Sequence, residues 1–306
     1  MFQDGMVYGY NDKLCIGQPG PAGLTGCSVP AVELMKILQG MPDQMIEISH
    51  NEEKHLLSLS GQTVQAKLKT IQSTLIQSIP DASENQWKIL PIDFMEGLRL
   101  CLFSASKDMS VVFLNCLNIN GDTITSSDNF RISRFQMRGS VEDAFLFPLS
   151  AAIELTAIDG VTEYSINEGW VFFRTGQAGL LFCARLVEAE YPDTSALFDI
   201  DAGEEFELPS TIKQGLDVCD VLLDVDSIDK KIHITLSNDE VLCRGEGGKG
   251  WVEHRVLCSG LPAGLEFDVN PVFLNHVLDH STSAQVADGK LVFRSDNFTH
   301  IMALPE

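Results

Sequence analysis

The 306-residue sequence is poor in basic residues and carries none of the common catalytic signatures. It has 21 lysines and arginines against 43 aspartates and glutamates, which gives a formal net charge of −22. This charge argues against general adhesion to nucleic acid, although a few basic side chains gathered on one surface would still allow DNA contact. No apolar run reaches transmembrane length, and no basic N-terminal region precedes an apolar core. We therefore expect a soluble, cytoplasmic protein.

The eight cysteines do not form a single Cys-x-x-Cys pair, and most of them lie within apolar runs. A zinc site would need closely spaced cysteine pairs. A disulfide framework is typical of a small secreted chain with regularly spaced cysteines. The distribution therefore predicts reduced, buried thiols in the cytosol.

Three stretches resemble parts of phosphate or metal sites, but each lacks an essential element. The glycine-rich GEGGKG that begins at Gly245 has Gly250 after its lysine where a phosphate loop needs serine or threonine, so a hairpin turn is favoured. His276 and His280 could share a metal on one helix face, but no third ligand lies within sequence reach. The acidic DVDSID from Asp224 lacks the glycine and the terminal glutamate of a calcium loop.

No serine, cysteine or metal-dependent hydrolase signature appears, so the sequence predicts neither an enzyme nor a cofactor. The alternative is an acidic enzyme with an unrecognised site, which would require titratable groups with perturbed pKa values clustered in a pocket.

The clearest positive feature is a segment that occurs three times at a spacing of roughly 120 residues, which is the size of a domain. Each copy contains an apolar helix-like stretch followed by strand-like runs. The helix-like stretches are VPAVELMKILQGM from Val29, PLSAAIELTAIDG from Pro148 and NPVFLNHVLDH from Asn270. The closing runs are SGQTVQAKL from Ser60, RTGQAGLLFCARL from Arg174 and RSDNFTHIMAL from Arg294. Tandem copies of one domain favour a ring, an arc or an array.

A second, upstream segment occurs twice at about the same spacing. ILPIDFMEGLRLCLFSA from Ile89 matches ELPSTIKQGLDVCDVLL from Glu207, and each is followed by strand-like runs and a turn-bounded strand pair. The chain opens with the counterpart of that strand pair, FQDGMVYGYNDKLCIG from Phe2, with no helix before it. We therefore expect the first copy to be only about half present.

Helical periodicity and short turn-bounded strands predict an α+β fold of tandem repeats, in which antiparallel sheets carry helices on one face. The predicted helices are residues 30–39, 94–104, 150–157, 211–222 and 272–280. Polar or acidic stretches at 73–86 and 194–208 mark the best boundaries. They give predicted domains at 1–84, 85–200 and 201–306.

The order of these repeats resembles the bacterial beta sliding clamp, the processivity factor of replicative DNA polymerase. The phrases that carry the resemblance are GCSVPAVELMKILQGMPD from Gly26, FLNCLNINGDTITSSDNFRISRF from Phe113, ARLVEAEYPD from Ala184 and VNPVFLNHVLDH from Val269. Together they span almost the whole chain. The resemblance implies a non-enzymatic protein without a cofactor that encircles duplex DNA and tethers a polymerase, with a clamp loader as a further partner.

The chain also departs from the family pattern. The strand and helix that open the family's first domain have no counterpart, and Asn129 and Phe130 stand where the family has Gly-His. IMALPE replaces the usual Met-Pro-Met/Val-Arg ending. These departures are more typical of a phage or mobile-element version acting in a host cytoplasm, and Phe130 predicts an altered peptide preference.

The family binds partner peptides in an apolar cleft between its second and third domains. The matching positions here are Leu114, Ser127, Asn129, Phe130, Arg131, Ile132, Pro192, Leu197, Asn270, Phe273, Phe298, Met302 and Leu304. An apolar cleft supplies contact area, while Arg131 and Asn270 would hold a peptide backbone or carboxamide. The alternative is that most of these side chains pack the domain interface, and for Leu114, Ile132 and Leu197 both interpretations stay open.

The family's helices face DNA without reading its bases. The basic residues on or near helices here are Lys36, Arg99, Lys107 and Lys213. They would give weak, salt-sensitive backbone contacts, and the alternative for each is an ordinary solvated surface charge.

Subunit contact in the family joins the first domain of one chain to the third domain of another. The matching residues are Leu38, Lys67, Lys69, Leu222, Leu223 and Ile228. Leu222 and Leu223 could equally belong to the core. The implied assembly is a head-to-tail dimeric ring. The rival interpretation is a clamp-like chain that does not close and instead binds or sequesters clamp-binding peptides.

Overall fold

The computed structural model describes residues 1–3, 5–24, 26–43, 45–72, 79–176, 179–200, 203–223 and 229–305. Its contacts divide the chain into two compact units. Unit 1 comprises Met1–Leu90 and Glu154–Leu186, and unit 2 comprises Pro91–Ile153 and Val187–Glu306. The predicted domain boundaries follow sequence copies and not compactness, so the middle copy contributes residues to both units.

Unit 1 contains a nine-stranded antiparallel sheet and a three-stranded antiparallel sheet. The large sheet has the order β8-β4-β1-β2-β3-β16-β15-β14-β9. Its strands are β1 Phe2–Gln3, β2 Met6–Tyr10, β3 Leu14–Pro19, β4 Cys27–Ser28, β8 Ile71–Gln72, β9 Lys88–Ile89, β14 Val161–Asn167, β15 Trp170–Thr175 and β16 Leu181–Arg185. The small sheet contains β5 Glu47–Asn51, β6 Leu56–Ser60 and β7 Gln65–Lys69, and helix α1 spans Ala31–Gly40. A core cluster of Phe2, Leu24, Cys27 and Leu57 lies within this unit.

Unit 2 contains an eight-stranded antiparallel sheet and a four-stranded antiparallel sheet. Their orders are β13-β10-β11-β12-β24-β23-β22-β17 and β20-β19-β18-β21. The strands are β10 Cys116–Asn120, β11 Thr123–Ser127, β12 Arg131–Gln136, β13 Phe145–Pro148, β17 Glu205–Glu207, β18 Ile232–Leu236, β19 Glu240–Gly247, β20 Gly250–Leu257, β21 Leu265–Val269, β22 Ser283–Ala287, β23 Lys290–Ser295 and β24 Phe298–Ala303. The helices are α2 Phe94–Cys101, α4 Ile212–Asp220 and α5 Pro271–Val277, while α3 Leu149–Thr156 spans the passage of the chain from unit 2 to unit 1.

The threefold repeat predicted from the sequence is confirmed by the order of elements. Helices α1, α3 and α5 are each followed by a three-stranded antiparallel meander, β5–β7, β14–β16 and β22–β24 respectively. Two of the meanders open with the same turn, in which Glu168–Gly169 and Asp288–Gly289 all have positive φ angles. This conformation belongs to the two-residue hairpin turns that match strand twist.

The twofold upstream repeat is confirmed by equivalent contacts of α2 and α4. Gly97 and Gly215 occupy the same place in the two helices, and a Cβ at either would press on the sheet below, against Phe135 and Cys243 respectively. One turn later, Cys101 donates its S–H to the carbonyl of Ile124, and Cys219 donates to that of Cys243. The two helices therefore rest on their sheets in the same way.

The predicted helices are all present, but three of them end two or three residues earlier than expected. The α-helical part of 94–104 ends at Cys101 and continues as a 3₁₀ turn over Leu102–Ser104. Helix α4 ends at Asp220 and α5 at Val277, after which single turns close with shorter-range hydrogen bonds such as His280 N–H to Val277 C=O. Apolar spacing carries on through such turns, so periodicity alone overestimates the helix.

Seven of the eight cysteines are buried and Cys258 is partly exposed, and none is in a disulfide, in agreement with the predicted buried thiols. Burial raises the pKa of the Cys116 thiol to about 11. In the described part of the chain, no helix is both long enough and apolar enough to cross a membrane.

The GEGGKG segment is a hairpin, as predicted: β19 ends at Gly247, β20 begins at Gly250, and the two residues between them form the turn. The glycines have a packing role. A Cβ at Gly245 would lie 2.5 Å from the carbonyl oxygen of Cys219, and one at Gly247 would overlap the carbonyl oxygen of Leu222. The C-terminal end of α4 therefore needs glycine at both positions to approach the strand this closely.

We predict that Gly247→Ala destabilises unit 2 by about 1–3 kcal/mol, because the added methyl group must displace backbone at the end of α4. Gly248→Ala is the matched control, since a Cβ there meets nothing within 4 Å. Thermal unfolding of both variants would measure the difference. Equal melting temperatures would show that the close approach does not constrain the sequence.

Candidate functional site

The candidate site is built on the pairing of β12 with β24, which joins strands from different sequence copies inside unit 2. The register is antiparallel and places Ile132 opposite Ile301. These two side chains and Val292 form a buried cluster, and Phe198 and Ile200 pack against it. The guanidinium of Arg134 lies 3.7 Å from the ring centroid of Phe198, which fixes the short 3₁₀ helix Ser195–Phe198 over the sheet.

A shallow apolar groove of about 110 Å³ lies beside this cluster. Its lining residues are Ser127, Asn129, Phe130, Arg131, Ile132, Leu197, Lys290, Ile301 and Ala303. None of them is acidic, and Leu197 and Phe130 are among the exposed large apolar side chains of the protein. An apolar groove with a few polar groups at its rim can accept apolar side chains of a peptide.

The turn between β11 and β12 presents the rim of the groove. Asp128 accepts hydrogen bonds from the backbone N–H groups of Phe130 and Arg131, and Asn129 has a φ of 75°. This tight turn leaves the Phe130 ring 44% exposed. The ring lies 6.2 Å, centroid to centroid, from that of Phe273.

Arg131 is a buried cation that holds the turn and helix α5 together. Its side chain is only 7% exposed, and its Nε donates to Asp128 Oδ2 at 2.9 Å. Its Nη1 lies 2.9 Å from His276 Nδ1, and its guanidinium stacks 4.2 Å from the Phe273 centroid. Burial lowers the pKa of the guanidinium, and the ion pair with Asp128 opposes this. Arg131 is therefore engaged by the protein itself on at least three sides.

A larger depression of about 450 Å³ adjoins the groove and shares Phe130 and Arg131 with it. It is lined mainly by the 3₁₀ turn after α2, the loop that follows, and α5. Its basic or titratable residues are Arg99, Lys107, Arg131, His276 and His280, and its acidic residues are Asp108 and Asp128. The carboxylate of Asp108 is bonded to the backbone and hydroxyl of Ser110. The depression therefore offers aromatic surface with exposed cations at its edge.

Seven of the residues predicted for peptide binding line these two depressions: Ser127, Asn129, Phe130, Arg131, Ile132, Leu197 and Phe273. Asn270 does not line either, because it is the buried N-cap of α5 and accepts hydrogen bonds from the N–H groups of Val272 and Phe273. Leu114 is buried outside both depressions, and Pro192 is exposed outside both.

On β24 the structure selects different residues from those expected. Phe298 and Met302 are buried on the face opposite the groove, and Leu304 follows the end of the strand. The groove is lined instead by Ile301 and Ala303, which alternate with them. The residues predicted from the sequence on this strand therefore lie on the wrong face, one position away from the residues that line the groove. Ile301, Met302 and Ala303 are consecutive apolar residues, and such a run does not reveal which side chains face which way.

Lys290 was also missed. It begins β23 and is paired with Ala303 across the hairpin. Opposite residues of an antiparallel pair share a face, so counting back from the Asp296–Asn297 turn would have placed Lys290, Ile301 and Ala303 on the same side of the sheet.

The basic residues predicted to face DNA differ in their surroundings. Arg99 and Lys107 are exposed at the edge of the larger depression, and Lys36 is exposed on α1. Lys213 forms an ion pair with Asp279, which neutralises much of its charge.

The residues predicted for subunit contact lie in both units. In unit 1, Leu38 is half-buried on α1, and Lys67 and Lys69 are exposed on β7. In unit 2, Leu222 and Leu223 are half-buried after α4, so neither is a fully buried core residue. Ile228 lies outside the described residues.

Three histidines of unit 2 have surroundings that lower their pKa values. His300 is fully buried on β24, and its Nδ1 lies 2.9 Å from the Ser133 hydroxyl. Burial lowers the pKa of His300 well below its usual range, and Arg131 lowers it further. Burial and then Arg131 also lower the pKa of His276, and burial lowers that of His280. Within the described residues, no group of three or more side chains of the metal-binding types is arranged to hold an ion.

These histidines should make the protein less stable below about pH 6.5, the usual pKa of an unfolded histidine. Below that pH the unfolded chain binds protons at these histidines, whereas the folded protein does not. This difference lowers the free energy of unfolding by up to about 1.4 kcal/mol per pH unit for each histidine. In His300→Gln, the loss of unfolding free energy between about pH 7.5 and about pH 5.5 should be smaller than in the parent by about 1 kcal/mol. Urea unfolding at the two pH values would measure it. An identical loss in both proteins would exclude His300 as a source of acid sensitivity.

The architecture described above is that of a DNA sliding clamp, and the fold expected from the sequence is confirmed. The beta subunit from DNA polymerase of Streptococcus pyogenes superposes with a TM-score of 0.83 at 16% identity, covering 98% of this chain and 88% of that chain. The DNA polymerase III beta subunit of Thermotoga maritima gives 0.81 at 17% identity, covering 100% and 89%. The Pseudomonas aeruginosa sliding clamp bound to griselimycin gives 0.82 at 16% identity, covering 98% and 88%.

The particular fold is therefore that of the bacterial DNA polymerase III beta subunit. At such low identity the likeness concerns the fold. No protein-family model matches the sequence, and no curated protein matches it.

Proposed function

We propose that this protein is a DNA sliding clamp, a non-enzymatic processivity factor that encircles duplex DNA and tethers a polymerase and other replication proteins through the groove. The observation that carries the proposal is the structural match to beta subunits over 98% or more of the chain. The apolar groove between β12, β24 and the 3₁₀ helix adds a surface for short peptides of partner proteins. No cofactor is needed, since affinity for DNA comes from closure around the strand. We place the protein in the cytoplasm, where a clamp loader would open the ring.

Contact with DNA in this proposal is weak and independent of sequence. A protein with a net charge of −22 repels phosphates over most of its surface, so the contact depends on a few exposed cations. Arg99 and Lys107 at the edge of the larger depression, and Lys36 on α1, are suited to this role because they are exposed. A few phosphate contacts would allow sliding and would leave topology, not charge, to hold the protein on DNA.

A closed ring predicts retention on circular DNA but not on linear DNA. Chains dissociated by dilution would be concentrated in the presence of a nicked plasmid, so that reassembly can enclose the DNA without a loader. After a wash in high salt, the protein should remain on the circle and leave once a restriction enzyme linearises it, because salt screens charge contacts but does not open a ring. Equal loss of protein from circular and linear DNA would favour the rival function, a protein that does not close and that binds or sequesters clamp-binding peptides.

Closure also requires contact between copies, and we propose that β7 of one copy pairs with β20 of another. Both strands lie at the edge of their sheets. Thr70 N–H donates to His55 C=O across the β6–β7 register, so the backbone groups of Lys67 and Lys69 point to the open side of β7. On β20, Trp251 and Leu257 are 58% and 82% exposed. Long edge strands with exposed apolar side chains are templates for pairing with another chain.

We predict that Lys67→Pro weakens self-association about tenfold or more, because it removes an N–H that faces the open edge and not one that bonds to β6. Lys67→Ala is the matched control, since it removes the same side chain and keeps the N–H. Analytical ultracentrifugation over a concentration series would measure both, after circular dichroism has shown that each variant folds. Equal weakening by the two variants would exclude edge pairing, and a parent that stays monomeric at high concentration would exclude the ring.

A further inference from the structure

Lys290 is one of two cationic residues that line the largely apolar groove, and the other is Arg131. Lys290 is the first residue of β23, lies opposite Ala303 and shares the groove face with Ile301. The hydrophobic floor of Ile132, Val292 and Ile301 lies on the same side of the sheet. The side chain is half-buried. Such lysines cover apolar surface with their stem and keep the ammonium in contact with water.

The charge of Lys290 is not neutralised by the described part of the protein. None of the nine lining residues of the groove is acidic. No described carboxylate lies within ion-pair distance of the Lys290 ammonium. Elsewhere in unit 2, by contrast, Lys230 pairs with Asp220 and Arg244 with Glu253. An unpaired cation is noteworthy in a chain with 43 acidic residues.

The second cation of the groove does not offer the same opportunity. Arg131 already bonds Asp128 through Nε at 2.9 Å and contacts His276 and the Phe273 ring. A ligand carboxylate would have to compete with Asp128 for a buried guanidinium. Lys290 is therefore the groove cation that remains for a ligand.

We propose that Lys290 is a specificity residue, and that the groove prefers a partner peptide in which a carboxylate neighbours an apolar anchor. This inference rests on the proposed tethering function and narrows its partner class. The anchor would lie on the Ile132–Ile301 floor against the Phe130 ring, and the carboxylate would pair with the Lys290 ammonium. The carboxylate could belong to an aspartate or glutamate side chain or to the end of the partner chain, since both present the same two oxygens.

The test uses fluorescein-labelled pentapeptides that contain a Leu-Phe anchor. One amidated set carries Asp immediately before or after the anchor, a second set carries Asn at the same places, and one Asn peptide ends in a free carboxylate next to the anchor. Dissociation constants are measured by fluorescence anisotropy with the full chain at low and high salt. The best carboxylate peptide should bind about three- to tenfold more tightly than its neutral match at low salt, with a smaller ratio at high salt.

Variants of the protein assign the preference to one residue. In Lys290→Met the ratio should fall to about one, and in Lys290→Glu the neutral peptide should bind more tightly, because the sign of the charge is reversed. Lys54→Met, an exposed turn lysine in unit 1, changes the net charge equally and should keep the parent ratio. Ala303→Phe should abolish binding of every peptide by filling the groove. If only the Asp peptides bind more tightly than their neutral matches, the preferred carboxylate belongs to a side chain. If only the peptide with the free end does so, the preferred carboxylate is the C-terminus of the partner chain.

Two results would overturn the inference and differ in their meaning for the proposed function. If acidic and neutral peptides bind alike and Lys290→Met changes nothing, while Ala303→Phe abolishes binding, the groove binds peptides without charge selection. If no peptide binds the parent protein, both the charge preference and the peptide role of the groove fail. Retention on circular DNA is scored separately and is independent of both.

Discussion

The antiparallel pairing of β12 with β24 is the constraint on which the rest of the candidate site depends. Its backbone hydrogen bonds join strands that belong to different sequence copies, and they set Ile132 beside Ile301. Side chains alternate along a strand, so a slip of one residue would turn Met302 toward the groove and Ile301 away from it. The turn at Asp128, the 3₁₀ helix held by Arg134, and Lys290 across the next hairpin all take their positions from this register.

The same use of strand pairing recurs in unit 1, where β3 pairs with β16 and again joins strands from two copies. In contrast, β7 is an edge strand of the three-stranded sheet and β20 is an edge strand of the four-stranded sheet. In our proposal a second copy completes those edges, so the interaction that builds each large sheet within a chain also builds the assembly. Electrostatics has a smaller and more local role, because acidic residues outnumber basic residues by 43 to 21 and the surface as a whole repels phosphates. Arg131 is held by Asp128, His276 and Phe273. In our proposals Lys107 contacts DNA and Lys290 contacts a partner peptide.

Much of this arrangement could be predicted from the sequence. There are physical reasons why the rest could not be predicted. The repeats identified α1, α3 and α5 and the meanders after them, because periodicity and DG or EG turns are local signals. The resemblance of whole phrases led to Phe130, Arg131, Ile132 and Leu197, all of which line the groove. The face of β24 that lines the groove was not identified because Ile301, Met302 and Ala303 are all apolar. The capping role of Asn270 depends on where α5 begins. The requirement for glycine at position 247 cannot be predicted until the end of α4 is placed against β19, because it comes from the close approach of the Leu222 carbonyl oxygen.

The central claim is that copies of this chain close around duplex DNA, with the groove left free for peptides. Electron cryomicroscopy of the protein assembled on a short duplex with blocked ends would test it most directly. The claim predicts a closed ring of copies joined through β7 and β20, with the duplex passing through its centre and the Ile132–Ile301 groove open to solvent. A duplex bound to the outside of the protein, or an open assembly in which β7 and β20 stay unpaired, would contradict it.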